Sequence, residues 1–327
     1  MNALEFRLLN EFQREFPLVH EPYDLVARKL GVTRDEVLET LARLRSLGAI
    51  SRIGAVFRPN AIGASTLAAM AVPPDRLNTV AQFVSDLPGV NHNYEREHAL
   101  NLWFVITAPG IGRLKQVIDS IERTIGLEVV SLPLLEEYHI DLGFDMSGSA
   151  AKRISGGPPP RLVIGPFGQR LVAALQDGID LVPRPYAVLA ASAGLSEGEV
   201  LETLAKWQSL GLVRRFGVVI RHHELGFGAN AMCVWDVPDA KVGALGAALA
   251  AEPAVTLCYR RVRVPPQWRY NLYCMLHGRE RAEVIGRLAG IEARQGLGRY
   301  PHDVLFSLRR FKQTGARYAE LEVSGHG

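Results

Sequence analysis

Cysteine is scarce in this chain: three residues in 327, Cys233, Cys258 and Cys274, all in the second half and none in CxxC or mixed Cys/His spacing. That argues against a zinc site and leaves three reduced, structural thiols as the expectation, with no metal site. Long apolar runs are missing as well. No segment reaches membrane-spanning length, and the first residues, MNALEFRLLNEF, lack the basic region, apolar core and cleavage site of a signal peptide. A cytoplasmic protein that makes no use of a membrane is expected. An excess of one charge is absent too: 37 basic against 34 acidic residues give +3, which disfavours a general polyanion-coating role and leaves room for a local basic patch. What is present is an ordinary globular composition, 48% hydrophobic and 22% charged, on a chain long enough for two or more domains.

The chain is written twice. GVTRDEVLETLARLRSLGAISRIG at 31–54 and GLSEGEVLETLAKWQSLGLVRRFG at 194–217 share VLETLA at an offset of 194 − 31 = 163. The same offset pairs Pro22-Tyr23 with Pro185-Tyr186, Arg58 with Arg221 and Gly63 with Gly226. A repeat this long means two copies of a domain pair, since solenoid repeats run to about 20–50 residues. Between the copies MSGSAAKRISGGPPP, 146–160, is first Gly/Ser-rich and then Pro-rich, a linker composition.

Each copy shows one internal plan. Leu4, Leu8, Leu9 and Phe12 have helical spacing over 3–14, Pro22 suits a first helical turn, and Thr33 with Glu36 forms a capping-box signal after the turn at Gly31. Three helices of this kind predict a helix-turn-helix, and AISRIGAVF at 49–57 reads as a strand opening the wing. An apolar strand at 66–72, a helix opened by Pro74-Asp75, two strands around 91–106, a helix over 111–125 and a strand near 128–140 follow. The order βαββαβ predicts a ferredoxin-like sandwich with one sheet face free for a partner. The expected fold class is therefore α+β, a tandem duplication. The boundaries are 1–60 and 164–223 for the winged helix-turn-helix domains, 61–145 and 224–327 for the sandwiches, and 146–163 for the linker.

The stretch NHNYEREHALNLWF at 91–104 carries the chemistry. As a strand it puts His92, Tyr94, Arg96 and His98 on one face. In the second copy the aligned face carries Leu257, Tyr259, Arg261 and Arg263. The following strand offers His277 where the first copy has Thr107, and the hairpin loop VPPQWRY is five residues longer and adds Trp268, Arg269 and Tyr270. Cations that hold carboxylates and aromatics that lie against a flat ring describe a site for a planar polyacid. Single residues also have plainer readings. Arg96, Arg260 and Arg269 could be solvated hairpin charges, Trp103 suits sheet packing, and His92 could cap a strand edge. His139, His222, His223 and His302 have no surrounding pattern.

A winged helix followed by a βαββαβ domain resembles the Lrp/AsnC regulators. NYEREHALNLWF together with CYRRVRVPPQWRYNLYCMLHG (258–278) resembles the siroheme decarboxylases, in their fused two-subunit form. Arg269 stands where the family's second motif would carry proline. The resemblance implies removal of two acetate carboxyl groups from siroheme to give didecarboxysiroheme, on the way to heme d1 or heme, with no cofactor beyond the iron that the substrate brings. It implies His98 and His277 as acid/base groups. The substrate-binding set that goes with them is Tyr94, Arg96, Tyr259, Arg260, Arg261, Arg263, Trp268 and Tyr270. Fused chains could pair further as homodimers. The alternative is a ligand-sensing, DNA-binding regulator of the Lrp/AsnC type. It is disfavoured because the helices that would read DNA begin TRDEVLET and SEGEVLET, and acid in the first turn stabilises a helix but repels phosphate.

Overall fold

The computed structural model describes residues 1–58, 60–140, 164–220 and 228–318. The linker at 146–163, Arg221, His222, His223, Gly226 and His326 lie outside the described residues. The first copy runs α1 (Ala3–Glu11), α2 (Pro22–Leu30), α3 (Arg34–Ser46), β1 (Ile50–Phe57), β2 (Ala64–Met70), α4 (Leu77–Asp86), β3 (Val90–Arg96), β4 (Leu102–Ala108), α5 (Ile111–Ile125) and β5 (Val130–Ile140). The second repeats it as α6 (Pro166–Ala174), α7 (Pro185–Ala193), α8 (Glu197–Ser209), β6 (Val213–Ile220), β7 (Ala229–Trp235), α9 (Asp239–Ala250), β8 (Val255–Arg261), β9 (Leu272–Gly278), α10 (Arg281–Gln295) and β10 (His302–Gln313).

The helix starts are set by local chemistry. Thr33 and Ser196 each accept a hydrogen bond from the backbone N–H three residues on, while Glu36 and Glu199 reach back to the cap N–H. Both reciprocal caps satisfy N–H groups that a helix start leaves orphaned. They also occupy two of the acidic residues in the helices that would read DNA, and Glu197 is bound by Arg184 and His20. Helix α1 ends at Glu11, short of the expected 14, and α4 starts at Leu77 after a turn over Pro74-Asp75.

The two copies meet through an internal pseudo-twofold. The strand expected to open a wing does not form a hairpin within its own copy. Instead β1 pairs antiparallel with β6 of the other copy, Ile50 opposite Ile220 and Phe57 opposite Val213. Gly217 lets the chain after α1 lie against β6, since a Cβ there would lie 2.3 Å from the Phe12 carbonyl oxygen. One core joins both helix-turn-helix units: Leu8, Phe12, Tyr23, Tyr186, Leu204 and Phe216 are fully or almost fully buried in it. Tyr23 donates to the Asp180 carbonyl and Tyr186 to the Pro17 carbonyl, both at 2.8 Å, so each copy ties a tyrosine to the other.

The βαββαβ units interlock in the same way. Each closing strand bridges the copies: β5 pairs with β2 of its own copy and β8 of the other, and β10 with β7 of its own copy and β3 of the other. The result is a closed eight-stranded barrel in the order β10-β3-β4-β2-β5-β8-β9-β7. Closure leaves no strand edge exposed, and the sheet face expected to be free for a partner finds that partner inside the chain. Helices α4 and α5 cover the outside of the first sheet and α9 and α10 that of the second, over separate cores. Cys233, Cys274 and Cys258 sit opposite one another on β7, β9 and β8 in the second of these cores, as free buried thiols. The barrel interior holds a fourth cluster drawn from both copies, including Leu67, Trp103, Met232, Tyr259, Trp268 and Tyr273. Among the described residues no helix is long and apolar enough to cross a membrane, and no group of three or more His, Cys, Asp or Glu could hold a metal.

Candidate active site

One end of the barrel is plugged and the other is open. The plug is the long second-copy hairpin, whose loop folds back through paired hydrogen bonds between Val264 and Trp268 at 2.7 and 2.8 Å. Trp268 is 1% exposed, donates its indole N–H to Tyr273 at 2.6 Å, and meets Trp103 and Tyr270 edge-on, both at 4.9 Å. The other end opens into a cavity of about 480 Å³. Its floor is the barrel interior, its roof is the β1–β6 ribbon with the end of α6, and one wall is the segment that follows β10, including Thr314, Gly315 and Tyr318.

The lining of this cavity decides its chemistry. Six arginines and two histidines reach it, and among the described residues no aspartate or glutamate does. The core pair is repeated by the pseudo-twofold. On β3, Arg96 lies over the Tyr94 ring and donates to the Leu305 carbonyl at 3.0 Å; on β8, Arg261 lies 4.6 Å over the Tyr259 ring and donates to the Leu132 carbonyl at 2.7 Å. Burial depresses Arg96, and the ionisable groups acting on it are tyrosines and a cysteine, not carboxylates. Arg261 keeps a buried Nε without a partner. Guanidiniums held this way, with free donors and no carboxylate, favour an anionic occupant.

The imidazoles are not repeated. His92 lines the cavity from β3, where its symmetry mate is Leu257; His277 lines it from β9, where its mate is Thr107. His92 stacks beside Tyr94 and bonds through Nδ1 to the Asn91 side chain at 2.8 Å. Burial, helped by the positive charge of Arg52, pushes it down to about 4, so it is neutral near neutral pH. Thr107 donates to the Arg317 carbonyl at 2.8 Å and pins the segment after β10.

Several residues expected in the site stand elsewhere. Alternation along β3 holds through His92, Tyr94 and Arg96, but the strand ends there and the chain turns. His98 therefore falls outside the cavity lining. It accepts from the Leu100 N–H at 2.9 Å and sits 3.5 Å from Asp303 and edge-on to Trp268 near the plugged end. Arg263 lies past the end of β8 for the same reason, and it is paired with Asp236 and Asp239. Arg260 points away from the cavity, as its place between the inward-facing Tyr259 and Arg261 requires, and binds Asp239 at 2.8 Å. Arg269, in the expected proline position, joins this group through Asp236 at 2.8 Å. Trp268 and Tyr270 build the plug rather than the lining. Tyr94, Arg96, Tyr259, Arg261 and His277 are brought together.

Other lining residues gave no sequence signal. Arg52 and Arg215 are symmetry mates on the ribbon, and Arg309 and Arg310 follow a bulge in β10 at Leu308. Only a strand pairing between copies could reveal that β1 and β6 face the barrel. His92 was visible, on the right face, but a lone imidazole at a strand edge has a plainer use.

The chain that builds this cavity is matched by known proteins. A family model described as the siroheme decarboxylase NirDL-like HTH domain matches residues 5–50 and 169–214. Another, the AsnC-like ligand binding domain, matches 61–139 and 224–312. The siroheme decarboxylase NirDL subunit of Paracoccus denitrificans is 44% identical over 98% of this chain and 99% of its own. The chain belongs to the siroheme decarboxylase NirDL family. A half-length relative, the siroheme decarboxylase NirD subunit of Pseudomonas aeruginosa, is 48% identical over 46% of this chain and 99% of its own, as a fusion of two subunits requires. A crystal structure of the siroheme decarboxylase NirDL in complex with an iron-uroporphyrin III analogue superposes with a TM-score of 0.70 at 28% identity, covering 96% of this chain and 93% of that one.

Proposed function

We propose that this chain is a carboxy-lyase that removes two acetate carboxyl groups from siroheme to give didecarboxysiroheme, in one site per chain. The observation that carries the reading is the cavity lining: six guanidiniums, of which Arg309 is paired with Glu95, two imidazoles and aromatic walls, with no described carboxylate in the lining itself. Siroheme is a flat polycarboxylate. Arg96 and Arg261 anchor carboxylates that do not react, and Tyr94 and Tyr259 lie against the ring. A guanidinium on the reacting acetate would stabilise the ground state more than the transition state, from which that charge is departing. The reacting acetates therefore belong beside the imidazoles.

The chemistry balances with one proton consumed for each carbon dioxide released. A proton added to a pyrrole carbon makes the ring an electron sink. The bond from the methylene to the carboxylate carbon breaks, its electron pair enters the ring system and carbon dioxide leaves. Protonation of the exocyclic carbon gives the methyl group, and the ring carbon returns its proton. No oxidant and no separate cofactor enters. Imidazole is the natural donor near neutral pH, and we assign the role to His277 and, in place of His98, to His92. The shift on His92 fits this use. Substrate carboxylates offset the surrounding arginine charge, raise the basicity of His92 and allow it to carry a proton once the site is filled.

A cytoplasmic setting, with reduced thiols, fits the reading, and the product would serve heme d1 or heme formation. The ribbon and barrel that would join two half-length subunits are already made within this chain, so a second copy is not required. Anaerobic incubation of the purified protein with siroheme and no other addition, followed by mass spectrometry, tests the proposal. The expected product has lost two carbon dioxide masses. Unchanged siroheme would leave a tetrapyrrole binder, and salt-dependent binding of a specific duplex would favour a regulator.

A further inference from the structure

The helix-turn-helix layer contributes a residue to the cavity that the barrel cannot supply. Arg52 on β1 lines the cavity from the roof, and its side chain is largely buried there. Its Nη2 donates to the Ala55 carbonyl at 3.1 Å, but its Nε is buried without a partner. Asp177 is bound to Arg317 at 2.8 Å and acts on Arg52 only through its charge. Two glycines hold the side chain in place. A Cβ at Gly178 would lie 2.9 Å from the Cβ of Arg52, and one at Gly315 would lie 2.4 Å from Nη1 and 2.7 Å from Cζ. The guanidinium thus lies flat against the segment after β10, and its charge reaches His92. Its symmetry mate Arg215 makes the equivalent bond to the Val218 carbonyl but adds one to the Gln13 carbonyl, at 3.0 Å, which ties the ribbon to the residues after α1.

We propose that Arg52 is a substrate anchor supplied by the helix-turn-helix layer, gripping a spectator carboxylate next to the acetate that His92 serves. The chemistry of siroheme supplies such a pair, since acetate and propionate side chains occupy neighbouring carbons of one ring. This rests on the decarboxylase reading, and it assigns the former DNA-reading layer a role in recognising a carboxylate. The charged groups around His92 are Arg52 on β1, Arg96 on its own strand and Arg310 on β10, with Tyr94 beside it and the neutral Gln313 and Val105 opposite.

The test compares wild type, Arg52→Gln, Arg52→Lys and Gly315→Ala as full chains, in anaerobic turnover of siroheme and in absorbance titration with iron uroporphyrin III. Arg52→Gln should raise KM and the dissociation constant about tenfold, the scale of one charge-assisted bond, with kcat within about twofold. Arg52→Lys should recover part of the loss. Gly315→Ala, which displaces the guanidinium and keeps the charge, should move both constants in the same direction. In Arg52→Gln the fall of kcat/KM with rising pH, which reports the free enzyme, should move to higher pH, while that of kcat stays. Unchanged binding with a lowered melting temperature would make Arg52 a strut and overturn the proposal. A rise in kcat would place it on the reacting carboxylate and overturn it too. If no carbon dioxide is released by wild type, the decarboxylase reading fails, while the uroporphyrin titration still decides for or against Arg52 as a carboxylate anchor.

Discussion

The two copies share a fold and part company at the site. Tyr94 with Arg96 and Tyr259 with Arg261 occupy equivalent places and make equivalent bonds to Leu305 and Leu132. The histidines do not: the first copy has His92 and Thr107 where the second has Leu257 and His277. Two identical subunits would place any imidazole at both equivalent positions or at neither. Two unequal copies in one barrel can place one imidazole on each side of a single bound ring, and can spend the vacated Thr107 position on pinning the segment after β10. The loop that adds Trp268 makes the same point at the other end of the barrel, since only the second copy supplies the plug.

The largest expected effect is on that plug. Trp268→Ala should cost about 3–5 kcal/mol of stability, the range for a fully buried tryptophan, read from a denaturant melt; a loss under 1 kcal/mol would mean that the long hairpin does not close the barrel. Next come the imidazoles. His277→Ala and His92→Ala should each lower kcat by about 10²-fold or more with the fold retained, the scale for general acids, whereas His98→Ala should leave turnover within about twofold. The reverse pattern in steady-state assays would return the acid role to the plugged end.

The comparison also has a pH signature. His92 is held at about 4 in the folded protein, below the unfolded value near 6.5. Above pH 6.5 the group is neutral in both states and contributes nothing. As pH falls from 6.5 toward 4 the unfolded chain binds the proton first, so stability is lost across that window, of the order of 3 kcal/mol. His92→Gln should lose less on acidification than wild type in melts at pH 7 and 4.5. Leu257, in the equivalent place, gives no such effect. Smaller again, Arg261→Lys should raise KM about tenfold with little change in kcat, because it removes a planar fork that anchors substrate and leaves the charge. A fall in kcat with KM unchanged would place Arg261 at the reacting carboxylate.

The duplication, the helix positions and the order βαββαβ were legible because periodicity, caps and self-similarity are local or repeated signals. So was one face of β3, as far as Arg96. Misplacement began where the strand stopped: alternation carried past the ends of β3 and β8 put His98 and Arg263 in a site they do not reach. Arg260 is different, since its place between the inward-facing Tyr259 and Arg261 already turned it outward toward Asp239. The roof was invisible for another reason. That β1 and β6 pair across copies follows from burying both helix-turn-helix units in one core, a nonlocal choice that no window of sequence contains. Arg52 looked like any other strand arginine, and His92 like an edge residue.

The account depends on a single site assembled from unequal copies, and the stoichiometry of tetrapyrrole binding tests it most directly. Absorbance titration of the protein with siroheme under anaerobic conditions should saturate at one equivalent per chain, with His92→Ala and His277→Ala still binding one. Saturation at two equivalents would mean that each copy holds its own site, and the central claim would fall.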